Sequence, residues 1–298
     1  MKIYPECGAC MLRQANEAID LATDNADLKI ETVNEVFKFL ASNFKVDASS
    51  NKIGSNMHRI IKKKTKCYDP YIKEKKIGNQ IANDLLPKVE KILKEDDSLE
   101  NYVKIAIIGN ILDFGGLGLD TDFEKMINES LNKGLAINHI EDLEKTLKNA
   151  DSLLYLADNT GEIVFDKLLI KKLNDYNLDI TVAVKEKPIL NDACMEDAIA
   201  IGLDKLANLV TIGTDSVGIV YDDLSPEFRE IFDSHNFIIS KGLGNYEGLT
   251  EINLENKDVF YLFSAKCSAI AKDSSVCEKD NVLLKKLKMS KLPYPYAQ

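Results

Sequence analysis

The 298-residue chain has no long apolar run and few cysteines, and each shortage excludes a class of protein. No stretch reaches the roughly 18 apolar residues that a transmembrane helix needs. The first residues, MKIYPECGAC, lack the apolar core of a signal peptide. Six cysteines are too few for a disulfide scaffold. The sequence therefore predicts a cytoplasmic protein with reduced thiols.

The chain also lacks a net positive charge. Lysine and arginine total 38 against 48 aspartate and glutamate, so the formal net charge is −10. The arginines are Arg13, Arg59 and Arg229. Because duplex nucleic acid and anionic membranes are bound through a basic face that releases counterions, we expect neither as the main partner. A local basic pocket for a small anion remains compatible with this composition.

The spacing of apolar residues changes along the chain and predicts two parts. Residues 1–100 show helical spacing, which predicts an all-helical N-terminal subdomain in which Pro87 breaks a helix or begins a new one. The run Lys62-Lys63-Lys64 is expected on a solvated helix face. Residues 101–298 are expected to form an α/β domain. Its first segment, 102–112, is almost entirely apolar and favours a buried helix.

Short apolar runs follow from residue 152 onwards, with helical patterns between the first four of them. Strands that alternate with helices indicate βαβ units. We therefore predict an α/β fold with a Rossmann-like, mostly parallel sheet sandwiched by helices. The expected strands are 153–157, 180–184, 209–212, 237–239 and 259–263, and helices are expected at 163–173, at 192–201 and from Pro226.

Each expected strand runs into a polar or glycine-rich motif. In an open parallel sheet the carboxyl ends of the strands form the ligand crevice, so these motifs are expected to converge at one edge. The convergence is the strongest physical indication of a functional site. The motifs are DNTGE (158–162), KEKPILND (185–192), TDS (214–216), KGLGN (241–245) and SAKC (264–267).

The residue types in these motifs predict a metal-bridged phosphate site. Asp158, Asn159 and Asp192 offer hard oxygen ligands of the kind that Mg²⁺ and Mn²⁺ prefer. Zinc fits less well, because the three histidines form no ligand-spaced cluster. Ammonium groups and backbone N–H groups suit a phosphate beside the cation. They are expected from Lys185, Lys241, Lys266 and the Gly242–Gly244 turn.

Structural explanations compete with this interpretation. Asp158-Asn159 and Asn191-Asp192 are also typical N-caps of the helices that follow them. Lys266 is compatible with a solvated side chain, and Asn110 with Asp113 is compatible with a structural polar pair. It is the expected convergence of all these residues at one sheet edge that favours a site.

With these motifs, the sequence resembles the metal-dependent damage-control phosphatase family, also called the ARMT-like domain and formerly a domain of unknown function. The resemblance implies a helical subdomain beside a Rossmann-like domain, and a divalent-metal phosphatase of small phosphorylated metabolites. These include sugar phosphates and damaged nucleotide or cofactor intermediates. The N-terminal Cys7 and Cys10 are similar to the CxxC of the microbial subgroup. The matching segments are CGAC (7–10), DPY (69–71), GNILDFG (109–115), DNTGE (158–162), PILND (188–192), KGLGNYEGL (241–249) and SAKC (264–267).

The resemblance also implies residue roles. The family's metal ligands correspond to Asp158, Asn159 and Asp192, with Mn²⁺, Ni²⁺, Co²⁺ or Mg²⁺ as the ion. In the family's Arg-Thr-x-Lys motif, Lys266 matches the lysine, but Phe263 stands where the arginine would be. That departure fits the microbial subgroup better than the eukaryotic one.

As a hypothesis, the ion binds a phosphoryl oxygen and orients a water or carboxylate nucleophile, and Lys241 or Lys266 neutralises the developing charge. Asp158, Asp192, Lys241 and Lys266 are thus the expected catalytic residues. Contacts to the substrate are expected from Asn110, Asp113, Glu162, Gly242, Gly244, Asn245 and Ser264.

Two other functions were compared with hydrolysis. An S-adenosylmethionine-dependent carboxyl methyltransferase is one, but such enzymes usually have a glycine-rich turn after the first strand, whereas the DNTGE loop has a single glycine flanked by acidic groups. A non-catalytic metal- or nucleotide-binding protein is the other. The physiological substrate, the preferred metal, the role of Cys7 and Cys10 and the oligomeric state stay open at this point.

Overall fold

The computed structural model describes residues 1–111 and 123–286, which form twelve α-helices and a seven-stranded sheet. The helices are α1 (Cys7–Ala22), α2 (Ala26–Asn43), α3 (Ser50–Thr65), α4 (Ile72–Glu95), α5 (Leu99–Ile111), α6 (Phe123–Lys133), α7 (Ile140–Leu147), α8 (Glu162–Leu173), α9 (Met195–Ala200), α10 (Pro226–Ser234), α11 (Gly242–Leu249) and α12 (Ser268–Ser274). The strands are β1 (Ile137–Asn138), β2 (Ser152–Leu156), β3 (Asp179–Val184), β4 (Asn208–Thr211), β5 (Phe237–Lys241), β6 (Asp258–Ser264) and β7 (Asn281–Lys285).

The strand order β1-β7-β6-β5-β2-β3-β4 confirms the predicted α/β fold. Every neighbouring pair is parallel except β6 with β7. The chain builds β2, β3 and β4 outwards and then returns to place β5 on the other side of β2. This reversal is a topological switch point, where the loops leaving two adjacent strands diverge and open a crevice. The crevice therefore lies at the carboxyl ends of β2 and β5.

Both faces of the sheet are buried. Along β2, Leu153 and Tyr155 belong to one apolar core, whereas Leu154 and Leu156 belong to the other. This alternation follows from the two-residue period of a strand. The first core includes side chains of α4, α5 and α8, and the second includes side chains of α10, α11 and α12. The predicted sandwich of helices around the sheet is thus confirmed.

The apolar segment after residue 101 is a buried helix, as predicted. Val103 and Ile105–Ile108 of α5 are buried, and a helix that is apolar on all sides needs such burial. At Gly109 an added Cβ would lie 2.9 Å from Phe165 Cδ2, so the glycine allows α5 to approach α8 closely. No helix of the described residues combines the length and the apolarity required to cross a bilayer.

The first three helices pack around a small core of their own, which includes Met57 and Ile61. Helix α4, in contrast, contributes Leu85 and Val89 to the main core. The boundary at residue 100 stays a prediction. Pro87 lies inside α4 and does not end it, contrary to expectation. The cost of an internal proline, about 3 kcal/mol, is comparable to what burying two such side chains contributes at about 1.5–3 kcal/mol each.

Two strands were not predicted. β1 has two residues, too few to show a pattern, and β7 runs antiparallel to β6. The expected helix over 192–201 is shorter, because α9 begins at Met195 and Asp192 belongs to the loop before it. Asp197 accepts a hydrogen bond from the Cys194 backbone N–H at 2.9 Å, which sets this later helix start. Helix α10 begins at Pro226, as predicted.

Candidate active site

The loops after β2 and β3 pair with each other at the crevice. The backbone N–H of Ala193 donates to the Asp158 carbonyl at 2.8 Å, and that of Thr160 donates to the Asn191 carbonyl at 2.9 Å. Between these bonds, Asn159 and Asp192 form an isolated antiparallel bridge. The structure therefore brings the three predicted metal ligands together, although 192 lies far from 158 and 159 along the chain.

Burial and mutual repulsion make these carboxylates hard to ionise. The side chains are nearly inaccessible, with 8% of Asp158 and 4% of Asp192 exposed. The pKa of Asp158 is raised well above its usual value by burial and then by the charges of Glu162 and Asp192. Burial raises the pKa of Asp192 to about 6, although Lys185, whose Nζ lies 3.5 Å from Oδ2, opposes the shift. A bound dication would favour the ionised form of both carboxylates.

The donor set fits a hard cation. Over residues 1–111 and 123–286, no group of three histidine, cysteine, aspartate or glutamate side chains could hold a metal by itself. The candidate site offers two carboxylates and the amide of Asn159. Oxygen donors of this kind suit Mg²⁺ or Mn²⁺, which retain several waters, better than they suit zinc.

The KGLGN motif was expected as a turn but begins a helix. Gly242 is the first residue of α11 and has a left-handed φ of +72°. An added Cβ there would overlap the Asp158 carboxylate, so the glycine is required for this close approach. Asn245 was expected to contact substrate, but it is buried and its Nδ2 donates to the carbonyls of Ala157 at 3.0 Å and Lys241 at 2.9 Å. It therefore joins the ends of β2 and β5.

Lys241 does not face the crevice, and the structure corrects its predicted role. The side chain is fully buried, and Nζ donates to Glu162 Oε1, to Asp166 Oδ1 at 2.6 Å and to the Ala106 carbonyl at 2.8 Å. An ammonium group has three N–H donors, so all of them have protein acceptors. Lys241 therefore has no donor left for a phosphoryl oxygen. Glu162 is also fully buried, which removes it from direct contact with substrate.

Lys266 is the predicted lysine that the structure leaves at the surface of the site. It follows the end of β6 and is exposed, and its charge lowers the pKa of Asp158 against the larger effect of burial. Lys185 is buried and donates to the Gly218 carbonyl at 3.0 Å. Ser264 is the buried last residue of β6. Gly244 packs against Gly218, whose backbone N would lie 3.3 Å from an added Cβ.

Helix α3 makes a contribution that was not predicted. Arg59 Nε donates to Asp215 Oδ1 at 2.7 Å, and Lys62 Nζ donates to Asp215 Oδ2 at 2.6 Å and to the Pro188 carbonyl at 2.7 Å. Lys62 thus joins α3 to the loops after β3 and β4 and does not lie on a solvated helix face, contrary to expectation. Two basic residues three apart on one helix face were the available signal, but their partner lies more than 150 positions away.

Asp113 and the side chain of Asn110 lie outside the described residues. Cys7 and Cys10 lie in the first turn of α1 and are free thiols. Burial raises the pKa of the Cys7 thiol, so this cysteine lacks the lowered pKa of a reactive thiolate.

Comparison with known proteins gives consistent results. Residues 3–282 match the model of the damage-control phosphatase ARMT1-like domain. An uncharacterized protein of Methanocaldococcus jannaschii is 38% identical over 292 residues, which cover 96% of each chain. A damage-control phosphatase of Pyrococcus horikoshii is 35% identical over 277 residues, 93% of this chain and 95% of that protein. One of Archaeoglobus fulgidus is 33% identical over 287 residues, 95% and 98% of the two chains.

The fold is similar to that of a solved structure. The crystal structure of a DUF89 family protein from Pyrococcus horikoshii superposes with a TM-score of 0.87 at 34% identity. The similarity covers 96% of this chain and 99% of that chain, so it includes the helical part as well as the sheet.

Proposed function

Since the chain belongs to the damage-control phosphatase ARMT1-like domain family, it is a phosphatase, and we propose that Asp158, Asn159 and Asp192 hold its divalent cation. We further propose that it hydrolyses small phosphorylated metabolites, such as sugar phosphates and damaged nucleotide or cofactor intermediates. The observation that supports the site assignment is the backbone pairing of the loops at 158–160 and 191–193, by which Asp158, Asn159 and Asp192 are neighbours.

We expect the residues around this position to have different roles in binding a phosphate ester. When bound, a divalent cation supplies Lewis-acid stabilisation of charge on the phosphoryl oxygens. Lys266, exposed and close enough to affect the pKa of Asp158, neutralises charge on the same oxygens. Helix α11 begins at Gly242, directly after β5, and the partial positive charge of its N-terminus would favour a phosphate bound at this edge of the sheet. Lys185 holds Asp192 in place.

Hydrolysis is better supported than the two alternatives. Two of the relatives carry the name damage-control phosphatase. The loop at the switch point offers carboxylate and amide oxygens of the kind that bind a divalent cation, and it lacks the glycine-rich turn expected of a methyltransferase. We also propose that the protein functions in the reducing cytoplasm, which is consistent with the free cysteines in the described part of the chain. That nucleic acid is not a partner stays a prediction from the net charge.

The test is a phosphatase screen across sugar phosphates and nucleotides with Mg²⁺, Mn²⁺, Co²⁺ or Ni²⁺, each with and without EDTA. Asp158→Asn and Asp192→Asn are expected to lose nearly all metal-stimulated hydrolysis while keeping the thermal unfolding transition. Asp179→Asn is the matched control, because Asp179 lies at the opposite end of β3. Wild-type turnover in either site variant would remove that residue from the proposal. Tight binding of a methyl donor without hydrolysis of any ester would favour the methyltransferase.

A further inference from the structure

Glu162 contacts the proposed ligand Asn159, and its two carboxylate oxygens have different hydrogen-bond partners. Oε1 accepts a hydrogen bond from Lys241 Nζ. Oε2 accepts from Asn159 Nδ2 at 3.2 Å and lies 3.4 Å from the Asn159 backbone N–H. The carboxylate therefore connects a fully buried ammonium group on one side with a residue of the site on the other.

These contacts determine which end of the Asn159 amide faces a cation. Nδ2 donates both to Asp158 Oδ2 at 2.8 Å and to Glu162 Oε2 at 3.2 Å. Both carboxylate oxygens accept hydrogen bonds from Nδ2, so the two side chains hold the NH₂ group and exclude the carbonyl oxygen from that side. Oδ1, the end that can coordinate a cation, is turned away from both of them.

The Glu162 carboxylate is held in turn by the buried Lys241 ammonium group. Burial alone would lower the pKa of Lys241, but the carboxylates of Asp166 and Glu162 outweigh it and raise that pKa. Asp166 lies one helical turn after Glu162 on α8, and the Ala106 carbonyl comes from α5. Lys241 thus joins α5, α8 and the end of β5 and anchors the Glu162 carboxylate.

We propose that Glu162 is a positioning residue that orients the Asn159 amide for metal coordination, and that Lys241 anchors Glu162 for this task. The inference rests on the proposed function, because it assumes the cation at Asp158, Asn159 and Asp192. It assigns the DNTGE glutamate and the KGLGN lysine a role in metal affinity without any contact to substrate. Ligand-orienting partners of this kind typically change metal affinity about 10- to 100-fold.

Glu162→Gln tests the orientation. A glutamine amide has one acceptor oxygen and one NH₂ donor, and Lys241 requires the acceptor. The NH₂ of Gln would then face Asn159 Nδ2, donor against donor, and the Asn159 amide would rotate to offer Oδ1 to it. We expect Mn²⁺ affinity, measured by isothermal titration calorimetry on the full chain, to fall about 10- to 100-fold.

Asp166→Asn is the matched control for charge. It removes the same negative charge one helical turn away and keeps an acceptor for Lys241, but it does not touch Asn159. We expect it to change Mn²⁺ affinity about 3-fold or less, well below the Glu162→Gln effect. In an Asn159→Ala background, Glu162→Gln should then change affinity no more than Asp166→Asn does, because no amide is left to orient.

The outcomes separate the two proposals. An equal loss from Glu162→Gln in the wild-type and Asn159→Ala backgrounds overturns the positioning role alone. Wild-type Mn²⁺ affinity in Asn159→Ala overturns the metal assignment and the inference with it. If Glu162→Gln does not fold, side-chain amide NMR of the wild type, assigned against Asn159→Ala, decides the point. Slow hydrogen exchange at Asn159 Nδ2 supports the two carboxylate bonds, and exchange at the rate of an exposed amide refutes them.

Discussion

Replacing Gly242 by alanine tests how tightly α11 packs on the proposed metal ligand. The added Cβ would overlap Oδ2 and Cγ of the Asp158 carboxylate and lie 3.0 Å from Oδ1. The Asp158 side chain has little room to move, because its Oδ2 accepts a hydrogen bond from Asn159 and its backbone carbonyl accepts one from Ala193. We therefore expect Gly242→Ala to displace the carboxylate and to remove most of the metal-stimulated activity.

The structure gives the size of the effect. The left-handed backbone at position 242 costs an alanine about 1–2 kcal/mol. Relief of the overlap needs a movement on the order of 1 Å, and misplacements of that size cost roughly 100-fold in rate. We expect kcat/KM for a phosphate ester with Mn²⁺ to fall by about 100-fold or more, with a fall in Tm of several degrees at least.

Gly134→Ala separates backbone strain from the overlap. Gly134 has a φ of +76°, close to that of Gly242, but nothing lies within 4 Å of an added Cβ. The Gly134→Ala protein should lose about 1–2 kcal/mol of stability and keep wild-type kcat/KM. If the Gly242→Ala protein behaves like this control, then α11 does not position Asp158, and the reasoning from close packing is wrong.

Three further predictions concern charge. Lys266→Met should lower kcat/KM about 100- to 1,000-fold with little change in Tm. Lys241→Met should instead destabilise the fold by about 3–5 kcal/mol, because it leaves two buried carboxylates unpaired. Similar changes in Tm and kcat/KM in both variants would contradict the different placement of the two lysines. The pKa of Asp192 is raised from 3.8 to about 6, so the metal-free fold binds an extra proton in that window and loses on the order of 3 kcal/mol as pH rises through it. Asp192→Asn should therefore flatten the dependence of Tm on pH measured in EDTA, and an unchanged slope would refute the shift. Asp215→Ala should lower the unfolding free energy by about 1–3 kcal/mol, allowing for partial exposure, and denaturant melts that match the wild type would mean that α3 is held by other contacts.

The central sheet and the approach of the loops after β2 and β3 could be predicted from the sequence. Five apolar runs, of which the first four are separated by helical patterns, correspond to β2–β6, and a polar motif follows each of them. Because parallel strands align their carboxyl ends, the convergence of Asp158 and Asp192 followed from topology alone. β7 could not be predicted in this way, since it pairs antiparallel with β6 and follows α12 and a turn in which the Cys277 N–H donates to Asp280 Oδ2 at 3.0 Å.

The different roles of the two lysines could not be predicted, because both follow an apolar run. The structure extends β5 to Lys241, two residues beyond the apolar run 237–239, whereas Lys266 lies past the last residue of β6. A side chain still within a central strand points into a packed layer, and one beyond the strand reaches solvent. Strand ends differ by residues that carry no apolar signal, so the pattern does not reveal which lysine is buried.

The partners of α3 could not be predicted from sequence patterns either. Arg59 and Lys62 are bonded to Asp215, Thr214 and Pro188, all more than 120 positions away. Helical spacing predicts that the two basic residues share a face, but it says nothing about what that face meets. Only the folded chain shows that the helical part holds the loops after β3 and β4 in place.

The surplus of negative charge at the site links metal binding to stability. Asp158, Asp166 and Asp192 all have raised pKa values, with burial as the largest cause, so the metal-free fold carries an electrostatic cost at neutral pH. A cation that binds only the folded state at 100 times its Kd stabilises that state by about 2.7 kcal/mol. This gain is similar in size to the cost estimated from the pKa of Asp192 alone, on the order of 3 kcal/mol. We therefore expect Mn²⁺ to raise the Tm of the wild-type protein, and an unchanged Tm would count against a cation at this site.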